Sequence, residues 1–346
     1  MSERHLYLDR GMGESRGVVT LDGQAERLLV RRDGDDPRLA LGARCVARVA
    51  SLEPALATAF LDLGGGAEAI LPFKPDAKPV RGQTLEIEIR SEPRRGKLAI
   101  ARALGPGEGT PRLLGPPRDL AAELSALVRE ADIVEGAVAR EMADQAEAEA
   151  LEVLHPIPGG GVLAVEPTRA LTAIDIDLGE RKGADAKRVT RQANLAALGL
   201  AARLLRLKGL GGIVVIDLVG RGHDGNALMS AARAAFGPDN PGVAIGPVGR
   251  FGTMELSLPR RVTPLGEILC REDGQISDRT LAQRLIRRLE AEGAAQPGAR
   301  LEARCAPGVA EAARPLGALL AGRIGARFTI KADPAVPRER LEVSAG

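Results

Sequence analysis

Residues 160–217 constrain this chain more than any other stretch. An apolar run, Gly161-Val-Leu-Ala-Val165, leads through Glu166-Pro-Thr168 to a second run, Leu171-Thr-Ala-Ile-Asp-Ile-Asp177, that closes on two acids. A long segment of helical spacing follows, and then a buried-type strand, Gly211-Gly-Ile-Val-Val-Ile-Asp217, that again ends in an acid. Side chains two apart on a strand share a face, so Asp175 and Asp177 point the same way. Two adjacent strands ending in carboxylates form a hard-oxygen site. Mg²⁺ suits it, because that ion retains several waters and takes only one or two carboxylates. The expectation is that Asp175, Asp177 and Asp217 converge within reach of one ion, with Mn²⁺ as the substitute metal.

The intervening segment, 184–208, reads as one helix. Leu195, Leu198, Ala202 and Leu205 form its apolar set, and Lys187, Arg188, Arg191, Arg203, Arg206 and Lys208 read as a solvated basic face. Its N-terminus, near Gly183, lies soon after Arg181 and Lys182, which are placed to meet substrate phosphates. After Asp217 comes a glycine-broken loop, Gly220-Arg-Gly-His-Asp-Gly225, then a helix over 227–236 and strands on either side of Gly249-Arg-Phe-Gly252. By position His223 suits a general base, but its glycine-rich setting offers no rigid partner and favours an exposed loop residue, as for Asp224. Glu166 and Glu255 read as ordinary strand-end acids.

Upstream the texture is all-β. Residues 5–9, 16–21 and 27–31 are strands, with Asp22-Gly23 as a hairpin turn. Five short strands follow within about sixty residues, at Arg44–Val49, Ala57–Asp62, Ala69–Pro72, Leu85–Ile89 and Lys97–Ile100. With Gly64-Gly65-Gly66 among the turns, they suggest a small OB-type barrel. Phe60 and Phe73 are its candidate base-stacking residues, and Lys74, Arg90, Arg94, Arg95 and Lys97 its candidate phosphate contacts. The competing reading makes both rings core and the charges a solvated rim. Residues 105–118 are a linker by composition, followed by a helix from Leu120 and a strand-then-helix over 131–153. The last unit has a helix carrying Leu281, Leu285, Ile286 and Leu289, a strand over 300–305, a helix near 308–322 and a strand over 327–331.

Composition limits the functional classes. The 48 basic and 46 acidic residues nearly cancel, so an argument for nucleic acid rests on local patches rather than net charge. Five Phe, one Tyr and no Trp leave little surface for base stacking. Cys45, Cys270 and Cys305 are far apart and odd in number, which fits a reducing compartment and excludes a C-x-x-C zinc site within the chain. No signal peptide or membrane-length apolar run is read, so a soluble cytoplasmic protein is expected.

The order of these pieces resembles the catalytic half of the ribonuclease E/G family. The residues that carry the likeness are Ala170-Leu-Thr-Ala-Ile-Asp-Ile-Asp177, Lys182-Gly183, Asn194-Leu-Ala-Ala197, Arg206-Leu-Lys-Gly-Leu-Gly-Gly-Ile-Val-Val-Ile-Asp217 and Gly249-Arg-Phe-Gly-Thr-Met-Glu-Leu256. Ala59-Phe-Leu-Asp-Leu-Gly64 and Ile70-Leu-Pro-Phe-Lys74 resemble that family's RNA-binding barrel, of the ribosomal S-one kind. The resemblance implies an α/β (α+β) multi-subdomain chain. An RNase-H-like subdomain would be formed by residues 1–38 and 112–155, with the OB-fold barrel, 39–104, inserted in it. A DNase-I-like catalytic subdomain, 156–275, and a small C-terminal α/β subdomain, 276–346, would follow.

It also implies that Asp175 and Asp217 are the catalytic carboxylates holding Mg²⁺, with Asp177 supporting the metal where the family commonly has Asn. The metal would activate a water for in-line attack on an RNA phosphodiester, leaving 5′-phosphate and 3′-hydroxyl ends. Phe60 matches a stacking aromatic of the barrel, and Arg95 falls near a basic RNA contact. The departures are Ile70 for the barrel's second aromatic, Gly209 for an acid or amide, and Val219-Gly220 for a second acid. The 5′-monophosphate sensor is missing, Leu127-Val-Arg-Glu130 being only an echo of it. Cys270 alone cannot build a four-thiolate zinc link, so no structural zinc is expected and the chain is read as a monomer or a homodimer without that link.

The leading expectation is a Mg²⁺-dependent endoribonuclease of single-stranded RNA, in maturation of ribosomal RNA precursors or decay of messenger RNA. The alternative is an RNA-binding protein of the same fold with little or no nuclease activity, serving ribosome assembly or as an RNA chaperone. A metal-dependent phosphoesterase acting on a small molecule or DNA is a third reading, against which the barrel argues.

Overall fold

The computed structural model describes residues 3–128, 131–179, 185–238 and 240–346. The chain opens with three antiparallel strands, β1 (Arg4–Arg10), β2 (Glu14–Leu21) and β3 (Gln24–Arg32). Asp22 and Gly23 both take positive φ between β2 and β3, as a two-residue hairpin of matching twist requires.

The barrel follows as β4 (Arg44–Glu53), β5 (Thr58–Asp62), β6 (Glu68–Pro72), β7 (Thr84–Ser91) and β8 (Ala99–Pro106). These strands are ordered β5-β6-β8-β7-β4, and β4 also pairs with β5, so the sheet closes on itself as expected for an OB-type barrel. Alternate residues such as Val49, Leu61, Ala69, Ile87, Ile89 and Ala99 fill its interior. The expected linker is not free chain: β8 runs through Pro106, and β9 (Arg112–Gly115) pairs with the first half of β4. Pairing with an unsatisfied strand edge outweighs the glycine and proline content that reads as a linker.

α1 (Leu120–Leu127), capped by Asp119, leads to β10 (Ile133–Glu135) and α2 (Ala137–Leu151). β10 adds in parallel to β1, so the N-terminal sheet is completed by chain that follows the barrel, and the barrel is an insertion in it.

A six-stranded sheet comes next. It comprises β11 (Leu154–Pro156), β12 (Val162–Pro167), β13 (Thr172–Asp177), then α3 (Ala186–Leu207), β14 (Gly212–Asp217), α4 (Gly225–Phe236), β15 (Ala244–Ile245) and β16 (Thr253–Leu258). Its order is β11-β12-β13-β14-β16-β15, with β13 and β14 parallel across the α3 crossover. Ile174, Ile176, Val214 and Ile216 meet Ala197, Leu198, Ala201 and Leu205 of α3 in one core. Gly209 takes φ +67° and ends α3, and a Cβ there would press on Val262, which explains glycine where the family resemblance leads one to expect an acid or amide.

The basic face of α3 is not uniformly solvated. Lys187, Arg188 and Arg191 are exposed, but Arg203 pairs with Glu149, Arg206 with Glu26, and Lys208 is buried on the carbonyls of Ala150 and Glu152. The C-terminal turns of the helix are covered by α2 and β3, and long side chains there find partners on those elements.

α5 (Leu265–Leu269) joins this sheet to a terminal unit of α6 (Asp278–Ala295), β17 (Leu301–Cys305), α7 (Pro307–Ile324), β18 (Phe328–Ala332) and β19 (Glu342–Ala345). The unit docks through buried ions. Glu147 of α2 lies among Arg16 of β2 and Arg284 and Arg287 of α6, while Glu14 binds both Arg32 and Arg287. Burial opposes the charge on Arg16, yet Asp144, Glu147 and Asp9 together hold its pKa above the ordinary guanidinium value. No helix among the described residues is long and apolar enough to cross a membrane.

Candidate active site

The exposed face of the six-stranded sheet carries the acids. Strand alternation turns Ile174, Ile176, Val214 and Ile216 inward, so Asp175, Asp177 and Asp217 stand on the opposite, solvent-facing side. Asp175 and Asp217 are register partners on parallel strands, which places their Cα atoms on adjacent strands about 5 Å apart and their side chains on one face. Ala164 of β12 lies beside Asp175 and Thr253 of β16 beside Asp217. Glu166 and Glu255 occupy the same face one pleat back, opposite Ala173 and Val215.

The expected three-carboxylate convergence is not what the fold builds. Asp177 lies two residues beyond the last pairing of β13 with β14, and its Oδ1 accepts the Gly179 N–H at 2.8 Å. Among the described residues no three His, Cys, Asp or Glu side chains are grouped closely enough to hold an ion. Asp175 and Asp217 are left as a pair.

Hydrogen bonds hold the chain leaving Asp217. Asn194, buried in α3, donates to the Val219 carbonyl at 3.0 Å and accepts the Val219 N–H at 3.1 Å. The next link runs from the Leu218 N–H to the Gly252 carbonyl at 3.1 Å. Asp224 caps α4 and pairs with Arg191 at 3.4 Å, so its task is local structure. His223 lies with Nε2 against Gly252, buried and with no hydrogen-bond partner among the described residues. Among the described residues no carboxylate is paired with it to orient it as a base.

Arg250 and Phe251 carry no role legible in the sequence. The Phe251 ring is 78% exposed, and the Arg250 guanidinium lies 4.5 Å from its centroid. Their flanking glycines marked a turn, but nothing in the sequence showed that this turn stands beside Asp217. Arg181, Lys182, Arg129 and Glu130 lie outside the described residues.

On the barrel, Phe60 is 38% exposed and registers with Ile70 of β6, which in turn registers with Ile100 of β8. The three form an apolar strip on the outer wall. Phe73 differs: it is half-buried and packs on the barrel core, so its ring is core rather than a stacking platform. Lys74 and Lys97 are exposed, with no ion-pair partner among the described residues. Arg95 is held to the chain around α5, its N–H on Glu267 at 2.5 Å and its guanidinium near the Cys270 carbonyl. Glu92 ties the same two units, accepting from the N–H groups of Leu41 and Thr263. Cys45, Cys270 and Cys305 are free thiols, and burial pushes the Cys45 thiol up to about 11.

Comparison with known proteins bears on this block. Residues 120–261 match the model of the Ribonuclease E/G family. Ribonuclease E of Haemophilus influenzae is 34% identical over 146 residues, covering 39% of this chain and 16% of that protein. The chloroplastic Ribonuclease E/G-like protein of Arabidopsis thaliana is 32% identical over 114 residues, 32% of this chain and 11% of that protein. Ribonuclease G of Escherichia coli K12 is 27% identical over 126 residues, 36% of this chain and 26% of that protein. The chain thus spans about a quarter or less of the length of these relatives. The matched block contains Asp175, Asp217, Asn194 and the Gly249–Gly252 turn, so it is this part of the chain, residues 120–261, that is similar to the core of the ribonuclease E/G family.

Proposed function

We propose that the chain is an endoribonuclease of single-stranded RNA, acting in RNA processing or decay, with Asp175 and Asp217 as its catalytic pair. The observation that carries the reading is the pairing of these two acids on parallel strands, on an open face within the matched block. The donor set fits Mg²⁺, or Mn²⁺ in its place, because two hard carboxylates with free access to water and phosphate oxygens are what such an ion takes. When bound, the ion supplies a Lewis acid that lowers the pKa of an attacking water and neutralises charge on the phosphate, leaving 5′-phosphate and 3′-hydroxyl products.

The chain's own residues perform the rest. Asp175 and Asp217 fix where the metal and the scissile phosphate meet, and Asn194 fixes the strand end that bears Asp217. Phe60 offers a stacking face to a base, with Lys74 and Lys97 set to follow the backbone. Arg181 and Lys182 remain candidates for phosphate contacts. The family resemblance supports reading the N-terminal unit as RNase-H-like and the six-stranded unit as DNase-I-like. We read the protein as cytoplasmic and, because Cys270 has no neighbouring cysteine with which to share a zinc ion, as a monomer or a dimer without that link. Only four residues separate β9 from α1, which leaves no room for a 5′-end sensor, so 5′-monophosphate and 5′-hydroxyl RNAs should be cut at similar rates.

The alternative, RNA binding with little cleavage, is favoured by one observation: the Asp177 carboxylate is used by its own turn. A 5′-labelled, A/U-rich single-stranded RNA incubated with Mg²⁺ decides between the two. Internal cuts that Asp175→Asn and Asp217→Asn both abolish establish the nuclease and its metal pair. Tight binding without cuts, unchanged by either substitution, establishes the alternative.

A further inference from the structure

The turn beside Asp217 presents an aromatic ring to solvent, although the whole chain has six aromatic residues. A Phe side chain gains by burial, and this one is held on a hydrogen-bonded turn beside the acid pair, where a flat ligand can cover it. Rigidity here is explicit. The Gly252 N–H binds the Gly249 carbonyl at 3.0 Å, and the Gly249 N–H binds the Thr253 carbonyl at 2.8 Å. The Gly252 carbonyl is in turn held by the Leu218 N–H, next to Asp217. Thr253 is the register partner of Asp217, which puts Phe251 within about 10 Å of that residue.

Building on the nuclease reading above, we infer that Phe251 stacks on the base of the nucleotide adjoining the scissile phosphate. Arg250 lies across one face of the ring and leaves the other open to a flat, π-bearing ligand. A nucleobase fits that face, and its phosphate neighbours meet the Arg250 charge. The ring therefore sets the register of the RNA on the carboxylate pair, while Phe60 grips a more distant base on the barrel. Stacking tolerates any base but requires that base to be unpaired, so this one ring imposes preference for single strands at the cut itself.

The test uses the full chain and short single-stranded RNAs with one 2-aminopurine moved along the sequence, in EDTA to measure binding and with Mg²⁺ to measure cleavage. Wild type should quench the fluorophore at a position next to the cut bond. Phe251→Ala should abolish that quenching and weaken binding roughly tenfold or more, the usual range for loss of one stacked base. Phe251→Tyr should restore both. With the ring at 78% exposure, all three proteins should melt alike. If wild type cuts RNA while Phe251→Ala binds and quenches as wild type does, the inference falls and the nuclease reading stands. The same holds if the substitution leaves RNA binding intact but dissociates a dimer, which would assign the ring to a protein contact. A wild type that neither binds nor cuts RNA overturns the nuclease reading, and this inference with it.

Discussion

Replacing Asn194 by alanine tests how the end of β14 is held. Asn194 is 1% exposed and satisfies both backbone groups of Val219, two residues after Asp217. Alanine removes both partners and leaves that N–H and carbonyl in a half-buried loop. Each buried backbone group left unpaired costs about 1–3 kcal/mol. Water reaching the loop recovers part of that, so a net loss of roughly 2–4 kcal/mol is expected, or a melting midpoint lower by roughly 3–6 °C for a chain of this size. Because Leu218 is also bonded to Gly252, the loosened loop should shift Asp217 and disturb the 249–252 turn together. Cleavage of single-stranded RNA should then fall further than the folded fraction explains. Asn194→Asp retains an acceptor for the Val219 N–H but sets a carboxylate oxygen against the Val219 carbonyl, so it should rescue little. Thermal melts by circular dichroism, with single-turnover cleavage below the melting range, measure both effects. A variant that melts and cuts like wild type would show that the clamp does not hold the site.

Four other substitutions probe buried groups and the barrel wall. Burial pushes the Lys208 ammonium down to about 8 from its ordinary 10.5, against support from Glu149 and Glu152. A depressed folded pKa gives stability that is full above about 10.5 and declines as pH falls through about 8. Melting midpoints from pH 7 to 10 should therefore carry a rising contribution that Lys208→Met removes, and identical profiles for the two proteins would refute it. Burial works against the charge on Glu147, but Arg287, Arg284 and Arg16 outweigh it and hold the carboxyl below its ordinary value. Its stabilising contribution is present above the ordinary 4.5 and lost as pH falls through the lower folded value. Glu147→Ala, which strands those cations, should cost about 3–5 kcal/mol by denaturant titration. Phe60→Ala should weaken single-stranded RNA binding severalfold with little effect on melting, and Phe73→Ala should reverse that pattern, losing about 2 kcal/mol of stability.

The periodicities of 171–177 and 212–217 determined by themselves that these segments are strands with acids on one face, because alternation is a local property of the backbone. The α3 stripe was legible for the same reason, as were the Asp22-Gly23 hairpin and the five barrel strands. Partnership was not legible. Whether Asp177 joins the acid pair depends on where β14 stops pairing with β13, and the register stops at Asp175, leaving Asp177 to a turn. Whether Phe60 or Phe73 is a platform depends on which way each strand faces the barrel interior, and Phe73 sits where the strand has ended. Residues 112–115 look like linker because glycines and prolines flank them on both sides, and become a strand because β4 offers an open edge. Asn194 reads as one polar residue on an apolar stripe until the crossover brings it against Val219, 25 positions away. In each case the deciding hydrogen bond or packing surface comes from chain distant in sequence, and only the tertiary structure supplies it.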